Sequence, residues 1–225
     1  MDKIIEHLKG KNKILFLTTS TRWAGETNEL PKSTQLALKL AKAVGEDKVQ
    51  VIDVAKLKIY PCEGNVSAAK GNDCGPLKVL LKDKEKNPSG CHRCYASLNN
   101  PDDELWQVSK PLLAADCVVF FGSVRWGQMN SIYQKLIERL TWLENRHSTL
   151  GEDNVLAEIE AGLLLTGHNW NGATVLATQK QVLNFFGFKV VDELFWNWQY
   201  TDNAEDESME SYVKASEQFT KEFLS

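Results

Sequence analysis

The chain has 225 residues, of which 43% are hydrophobic and 25% charged, with a net charge of −4. That balance suits one globular domain, residues 1–225, with a sizeable core, and no Pro/Gly/Ser-rich linker divides it. Without a basic field, a membrane-length apolar run or a secretory leader in its polar first dozen residues, the sequence argues against nucleic-acid and membrane partners and for the cytoplasm.

Ile14-Leu15-Phe16-Leu17 is a continuous apolar run, the pattern of a parallel strand buried on both faces, and it leads into Ser20-Thr21-Arg22-Trp23-Ala24-Gly25. Pro31 suits a first helical turn, and Leu36, Leu40, Ala41 and Val44 then form an apolar face that ends near Gly45. Residues 49–54 read as a second strand. The stretch 56–100 breaks the alternation: a connection of some forty residues far exceeds the usual few. A short helix is expected there around Leu77, Val79, Leu80 and Leu81, among four of the five cysteines. Pro101-Asp102-Asp103-Glu104 predicts a helix start with acids at its positive end, and Pro111 should kink or restart that helix. Val118-Val119-Phe120-Phe121 is the third apolar strand and leads to Ser123-Val124-Arg125-Trp126-Gly127. Ile132, Leu136, Ile137, Leu140 and Leu143 mark the strongest helix. Leu163-Leu164-Leu165 then runs into Thr166-Gly167-His168-Asn169-Trp170-Asn171-Gly172. A helix through Val175, Val182, Leu183 and Phe186, a fifth strand over 189–196, and an acidic amphipathic helix from about 204 complete the chain. That last helix should turn Met209, Val213 and Phe219 inward.

Strands alternating with helices predict an α/β, three-layer, doubly wound fold with a five-stranded parallel sheet. The order is either flavodoxin-like, 2-1-3-4-5, or Rossmann-like. No G-x-G-x-x-G follows any strand, which favours the first. A Walker-type loop is a near miss: Gly25 precedes Lys32-Ser33-Thr34 at too long a spacing, and Pro31 has no amide to offer a phosphate.

Open α/β sheets bind ligands at the carboxyl ends of their strands, where three loops with small or hydroxyl residues and a Trp followed closely by Gly converge. Ser20, Thr21 and Arg22, with Ser33, Thr34 and Gln35 at a helix start, offer hydroxyls, amides and a cation to a terminal phosphate. Ser123, Val124, Arg125, Trp126 and Gly127 would face a flat ring, with the indole or the arginine stem against it. Thr166, Gly167, His168 and Asn169 form a third wall, from which His168 would donate a hydrogen bond to a ring carbonyl or a substrate oxygen. A phosphorylated planar cofactor fits this set, flavin first. No Ser-His-Asp order or His-x-x-x-His pair points to hydrolysis, and no catalytic acid or base is assigned.

On these residues the chain resembles the NAD(P)H-dependent FMN reductase and iron-sulfur flavoprotein group of the flavodoxin-like superfamily. The resemblance covers Lys13 to about Trp198 and rests on Ser20-Thr21-Arg22 with Ser33-Thr34, on 115–123 leading to Trp126-Gly127, and on Thr166-Gly167. It departs from the group in a longer phosphate loop and in Val124-Arg125 where a Pro-x-Tyr is expected. The resemblance implies FMN at the three loops, NADH or NADPH as hydride donor, a small-molecule electron acceptor, and a homodimer or higher homo-oligomer. The rival reading is a flavodoxin-type electron carrier, or an FMN-binding module without nicotinamide reactivity.

Five cysteines in a chain read as cytoplasmic are thiols or ligands rather than a disulfide framework. Iron-sulfur members of the group carry a compact cysteine cluster, whereas Cys62, Cys74, Cys91 and Cys94 are spaced by eleven, sixteen and two residues. Only Cys91 and Cys94 have ligand-like spacing, and ferredoxin-type sites need closer runs; zinc through the four cysteines, with or without His92, is the other metal reading. The expectation is four metal-free thiols in a mobile cover over the flavin face, with Cys117 in the core.

Overall fold

A computed structural model describes residues 1–22 and 29–225. The apolar runs are the central strands: β1 (Ile14–Thr18), β3 (Cys117–Arg125) and β5 (Glu160–Gly167) lie side by side, flanked by β2 (Val49–Asp53) and β6 (Lys189–Gln199). All five pair in parallel, in the order β2-β1-β3-β5-β6. This is the flavodoxin-like order read from the sequence, with one addition. A two-residue strand β4 (Gln128–Met129) folds back antiparallel on the end of β3, pairing Val124 with Met129 and Arg125 with Gln128.

Alternation along the strands divides the core in two. Leu15, Leu17, Val118, Phe120, Leu163 and Leu165 face one layer, formed by α4 (Trp106–Leu112), α5 (Ser131–Ser148) and α6 (Gly172–Phe185). Ile14, Phe16, Cys117, Val119, Phe121 and Leu164 face the other, formed by α1 (Asp2–Lys9), α2 (Lys32–Val44) and α7 (Met209–Phe219). Each fully buried large side chain in these layers contributes roughly 1.5–3 kcal/mol of apolar burial. Cys117 is core, as expected, and burial pushes its thiol up to about 12.

The polar amino end, for which no element was read, forms α1, because Ile4 and Leu8, one turn apart, give it a buried stripe. Four expectations are corrected. Residues 101–104 do not start a helix. The Asp102 side chain pairs with Lys58 and Asp103 accepts from the Tyr60 amide, so α4 begins at Trp106, with Pro111 inside its last turn. In α7 the inward residues are Ser211, Ala215 and Phe219, while Met209 and Val213 are exposed. Only a single 3₁₀ turn, Leu77–Val79, stands where the short helix was expected.

The fourth correction concerns the insertion at 56–100, which is packed down rather than laid over the sheet edge. It contains α3 (Tyr95–Asn99) and lies against α5, where Gly75 abuts the Trp142 backbone and Asn145 Nδ2 donates to the Cys74 carbonyl. Beneath it runs a buried polar network. Arg139 donates through Nη1 to Asp103 Oδ1 at 2.8 Å and to the Tyr60 carbonyl at 2.6 Å, and through Nη2 to Ser97 Oγ and Asp103 Oδ2, both at 2.9 Å. Ser97 gives its own hydroxyl proton to Asp103 at 2.7 Å, so His92 Nε2, 2.9 Å from Ser97 Oγ, must be the donor and His92 Nδ1 accepts from Ser109 at 2.7 Å.

Candidate functional site

Two buried residues bring the strand ends into register. Asn130, the N-cap of α5, donates through Nδ2 to the Thr19 carbonyl at 2.9 Å and accepts from the Tyr133 amide. Thr19 Oγ1 in turn donates to the Phe121 carbonyl at 3.0 Å. The ends of β1 and β3 and the start of α5 are thereby one unit. Beside it a chain of hydroxyls forms: Ser33 Oγ lies 2.7 Å from Ser20 Oγ, which lies 3.1 Å from Ser123 Oγ.

This chain lines a cleft of about 180 Å³. Of the residues singled out in the sequence, Ser20, Thr21, Arg22, Ser33, Ser123, Val124, Arg125, Thr166, Gly167 and His168 line it. Thr34, Gln35, Trp126, Gly127 and Asn169 do not. Thr34 is buried on α2, its hydroxyl without a partner among the described residues. Gln35 Nε2 donates to the Leu30 carbonyl at 2.7 Å. Asn169 Nδ2 donates to Glu207 Oε1 at 2.7 Å and holds the segment before α7. Trp23, Ala24 and Gly25 lie outside the described residues.

His168 takes a different part from the one expected. Its Nε2 donates to the Asp206 carbonyl at 2.9 Å, and its ring stacks on Tyr212 at a centroid distance of 4.3 Å and an interplanar angle of 16°. The histidine therefore positions α7, and Tyr212 and Ala215 of α7 complete the cleft together with Trp198. Sequence reading missed these three. An amphipathic face read from Met209 and Val213 pointed α7 the wrong way, and Trp198 stands beyond the strand end that was expected.

Lys32 was also missed as a wall residue, although Pro31 before it marked the helix start. Burial lowers the Lys32 pKa, and the neighbouring Arg22 lowers it further, while Glu29, which pairs with Arg22, acts in the opposite sense. Two cations, three hydroxyls and the amide end of α2, whose first turn carries no acid, converge at one end of the cleft. Such an end offers donors and positive potential of the kind an anion takes.

The rim of the site holds an unusual turn. Trp126 and Gly127 join β3 to β4 with φ of 50° and 70°, the left-handed pair of a type I′ hairpin. Asn-Gly is the usual choice there, since an indole gains nothing from a left-handed backbone. Trp126 is nevertheless 95% exposed. The turn is braced from below, where Asn171 Nδ2 donates to the Gly127 carbonyl at 2.6 Å and the Trp170 indole occupies the space a Gly127 Cβ would need. Trp126→Asn is expected to raise stability by about 1 kcal/mol, read from a shift in the chemical-denaturation midpoint at unchanged slope.

The four thiols of the insertion do not enter this cleft. Cys74, Cys91 and Cys94 are partly buried against the α5 layer. Burial, followed by repulsion from Cys94 and Cys62, pushes the Cys74 thiol up to about 12. No group of three or more His, Cys, Asp or Glu among the described residues is arranged to hold a metal ion. No helix among them is long and apolar enough to cross a membrane.

Neither a protein family nor a curated protein matches the chain in sequence. Its fold is that of solved flavodoxin-like proteins. RosB, in a structure with bound 8-demethyl-8-formylriboflavin-5'-phosphate, aligns over 93% of this chain and 73% of its own, at 16% identity and a TM-score of 0.59. An NAD(P)H:quinone oxidoreductase from Methanothermobacter marburgensis aligns over 92% and 95% at 8% identity and 0.51. The azoreductase AzrA aligns over 93% and 97% at 14% identity and 0.50. At these identities the likeness is one of fold.

Proposed function

We propose that the chain is an FMN-dependent oxidoreductase that uses NADH or NADPH to reduce a second, small-molecule acceptor. The observation that carries this reading is the anion end of the cleft: Ser20, Ser33 and Ser123 linked hydroxyl to hydroxyl at a helix amino terminus, with Lys32 and Arg22 beside them. An ordinary capped helix start needs neither cations nor a second strand's serine. Three solved proteins of this fold, described as a riboflavin-phosphate-bound protein, a quinone oxidoreductase and an azoreductase, agree with it.

The residues fit a flavin mononucleotide in parts. About 180 Å³ is below the usual span for a whole cofactor, so the enclosed part takes the phosphate and its adjoining chain. The ring is left to the open part of the cleft, whose lining includes Val124, Arg125 and Tyr212. When bound, the flavin supplies hydride acceptance from a nicotinamide and its delivery to the acceptor. The chain's own part is to hold and orient. Ser33 and Ser20 donate to the phosphate, Lys32 and Arg22 neutralise it, and Thr166, fixed by its bond to the Gly122 carbonyl at 3.3 Å, keeps the β5 wall in place. Tyr212 is held in turn by Glu207 and by its stack on His168, and with Ala215 and Trp198 it shields the cleft from water. We further propose a homo-oligomeric, cytoplasmic protein.

Ser33→Ala is expected to weaken FMN binding about tenfold, the loss of one charge-assisted hydrogen bond, in fluorescence-quenching titrations of the purified chain. An unchanged constant in a folded variant removes this end of the cleft from the site. Stopped-flow bleaching of the bound flavin by NADH or NADPH, on the order of a second or faster, separates the enzyme from an electron carrier.

A further inference from the structure

On the far side of Arg125 from the cleft lies a second groove of about 710 Å³, floored by Met129 and Ile132 and walled by Trp126, Gln134 and Lys135. Arg125 lines both spaces. We propose that this groove is the subsite of the second substrate, and that it selects planar aromatic molecules carrying an anionic group, such as a carboxylate or sulfonate. The inference rests on the flavin reading for the purpose of the groove, and on independent observations for its chemistry.

The first observation is the hairpin. A bulky side chain in the left-handed position of a type I′ turn is strained, and an indole left 95% exposed gains nothing from burial. Asparagine would relieve both, and the turn is held rigidly from below by Asn171 and Trp170. Such a turn presents an aromatic face at a fixed place. The second observation is charge. Arg125 and Lys135 make no ion pair among the described residues, and one carboxylate, Glu138, stands against them. The groove also opens on the first turn of α5, an 18-residue helix with no acid in that turn, so the helix end adds positive potential. Met129 and Ile132 supply an apolar floor for a ring. Indole face, apolar floor and excess positive charge together describe an aromatic anion.

The probes are 2-naphthalenesulfonate and its uncharged analogue 2-naphthalenemethanol, titrated calorimetrically into the full chain with and without saturating FMN. The sulfonate is expected to bind in the presence of FMN and more tightly than the alcohol. Trp126→Asn, which suits the turn and so keeps the fold, should weaken both probes at least about tenfold. Lys135→Gln should weaken the sulfonate about fivefold and leave the alcohol unchanged. Displacement of the sulfonate by FMN would show that the groove holds the flavin ring and overturn the inference. Equal affinity for both probes, or unchanged affinity in Trp126→Asn, would overturn it as well. So would a fall in sedimentation mass in Trp126→Asn with probe binding intact, since the groove would then belong to a second copy of the chain. A chain that binds the sulfonate with both dependences but never binds FMN leaves the groove standing and sinks the flavin reading instead.

Discussion

Arg139→Met is expected to lower the unfolding free energy by about 3–5 kcal/mol, enough to leave a domain of ordinary stability close to its threshold. Arg139 and Asp103 are fully buried as a pair, with both guanidinium ends committed to the carboxylate, to Ser97 and to the Tyr60 carbonyl. Burial alone would push the Asp103 carboxyl up, but the bonds from Arg139, Ser97 and the Tyr60 amide outweigh it and hold it below the ordinary carboxylate range. Removing the arginine leaves that charge buried and unpaired. The double variant Arg139→Met, Asp103→Leu should recover most of the loss, because replacing both members removes the desolvation cost along with the attraction. Urea melts of the three chains test this. A double variant no more stable than Arg139→Met would show that Arg139 acts through its packing and its bond to Tyr60 instead.

Stability should also fall in acid in two separate steps. His92 is buried between Ser97 and Ser109, and burial, opposed by Asp103 and assisted by Arg139, lowers its pKa from 6.5 to about 4. Between those values the unfolded chain takes up a proton that the folded chain refuses, so stability declines as pH falls through this window, by about 3 kcal/mol in all. Glu160 acts lower. Burial pushes its carboxyl up, but bonds from Lys11, His7 and Lys189 prevail and hold it at about 2. Its contribution is complete above about 4.5 and is lost as pH falls toward 2. Denaturation midpoints from pH 7 to 3 should show a His92→Gln chain without the upper decline. If the decline persists in that variant, another group titrates there.

The sheet was legible because its strands are buried on both faces, and Ile14–Leu17, Val118–Phe121 and Leu163–Leu165 can be little else in a globular α/β domain. The three loops at their ends were legible for the same reason. What stayed hidden depended on contacts between distant residues. Asp103 reads as a helix-start acid until Arg139, 36 residues on, claims it, and Arg139 also reaches 42 residues back to Ser97. The hairpin at Trp126 was hidden because Trp-Gly is not a turn signature. Tyr212 was hidden because its helix shows more apolar residues on its outer face than on its inner one.

The cleft draws its walls from residues far apart in the chain, Ser20 and Ser33 together with Tyr212 and Ala215. During synthesis at roughly 5–20 residues per second, the interval between Ser20 and Tyr212 lasts on the order of 10–40 s. Throughout that time the serines at the start of α2 are made but the wall that shields them does not exist. Were a flavin to bind there, as proposed, before α7 arrives, it would be open to water on that side; on that reading, enclosure of the cofactor waits for α7.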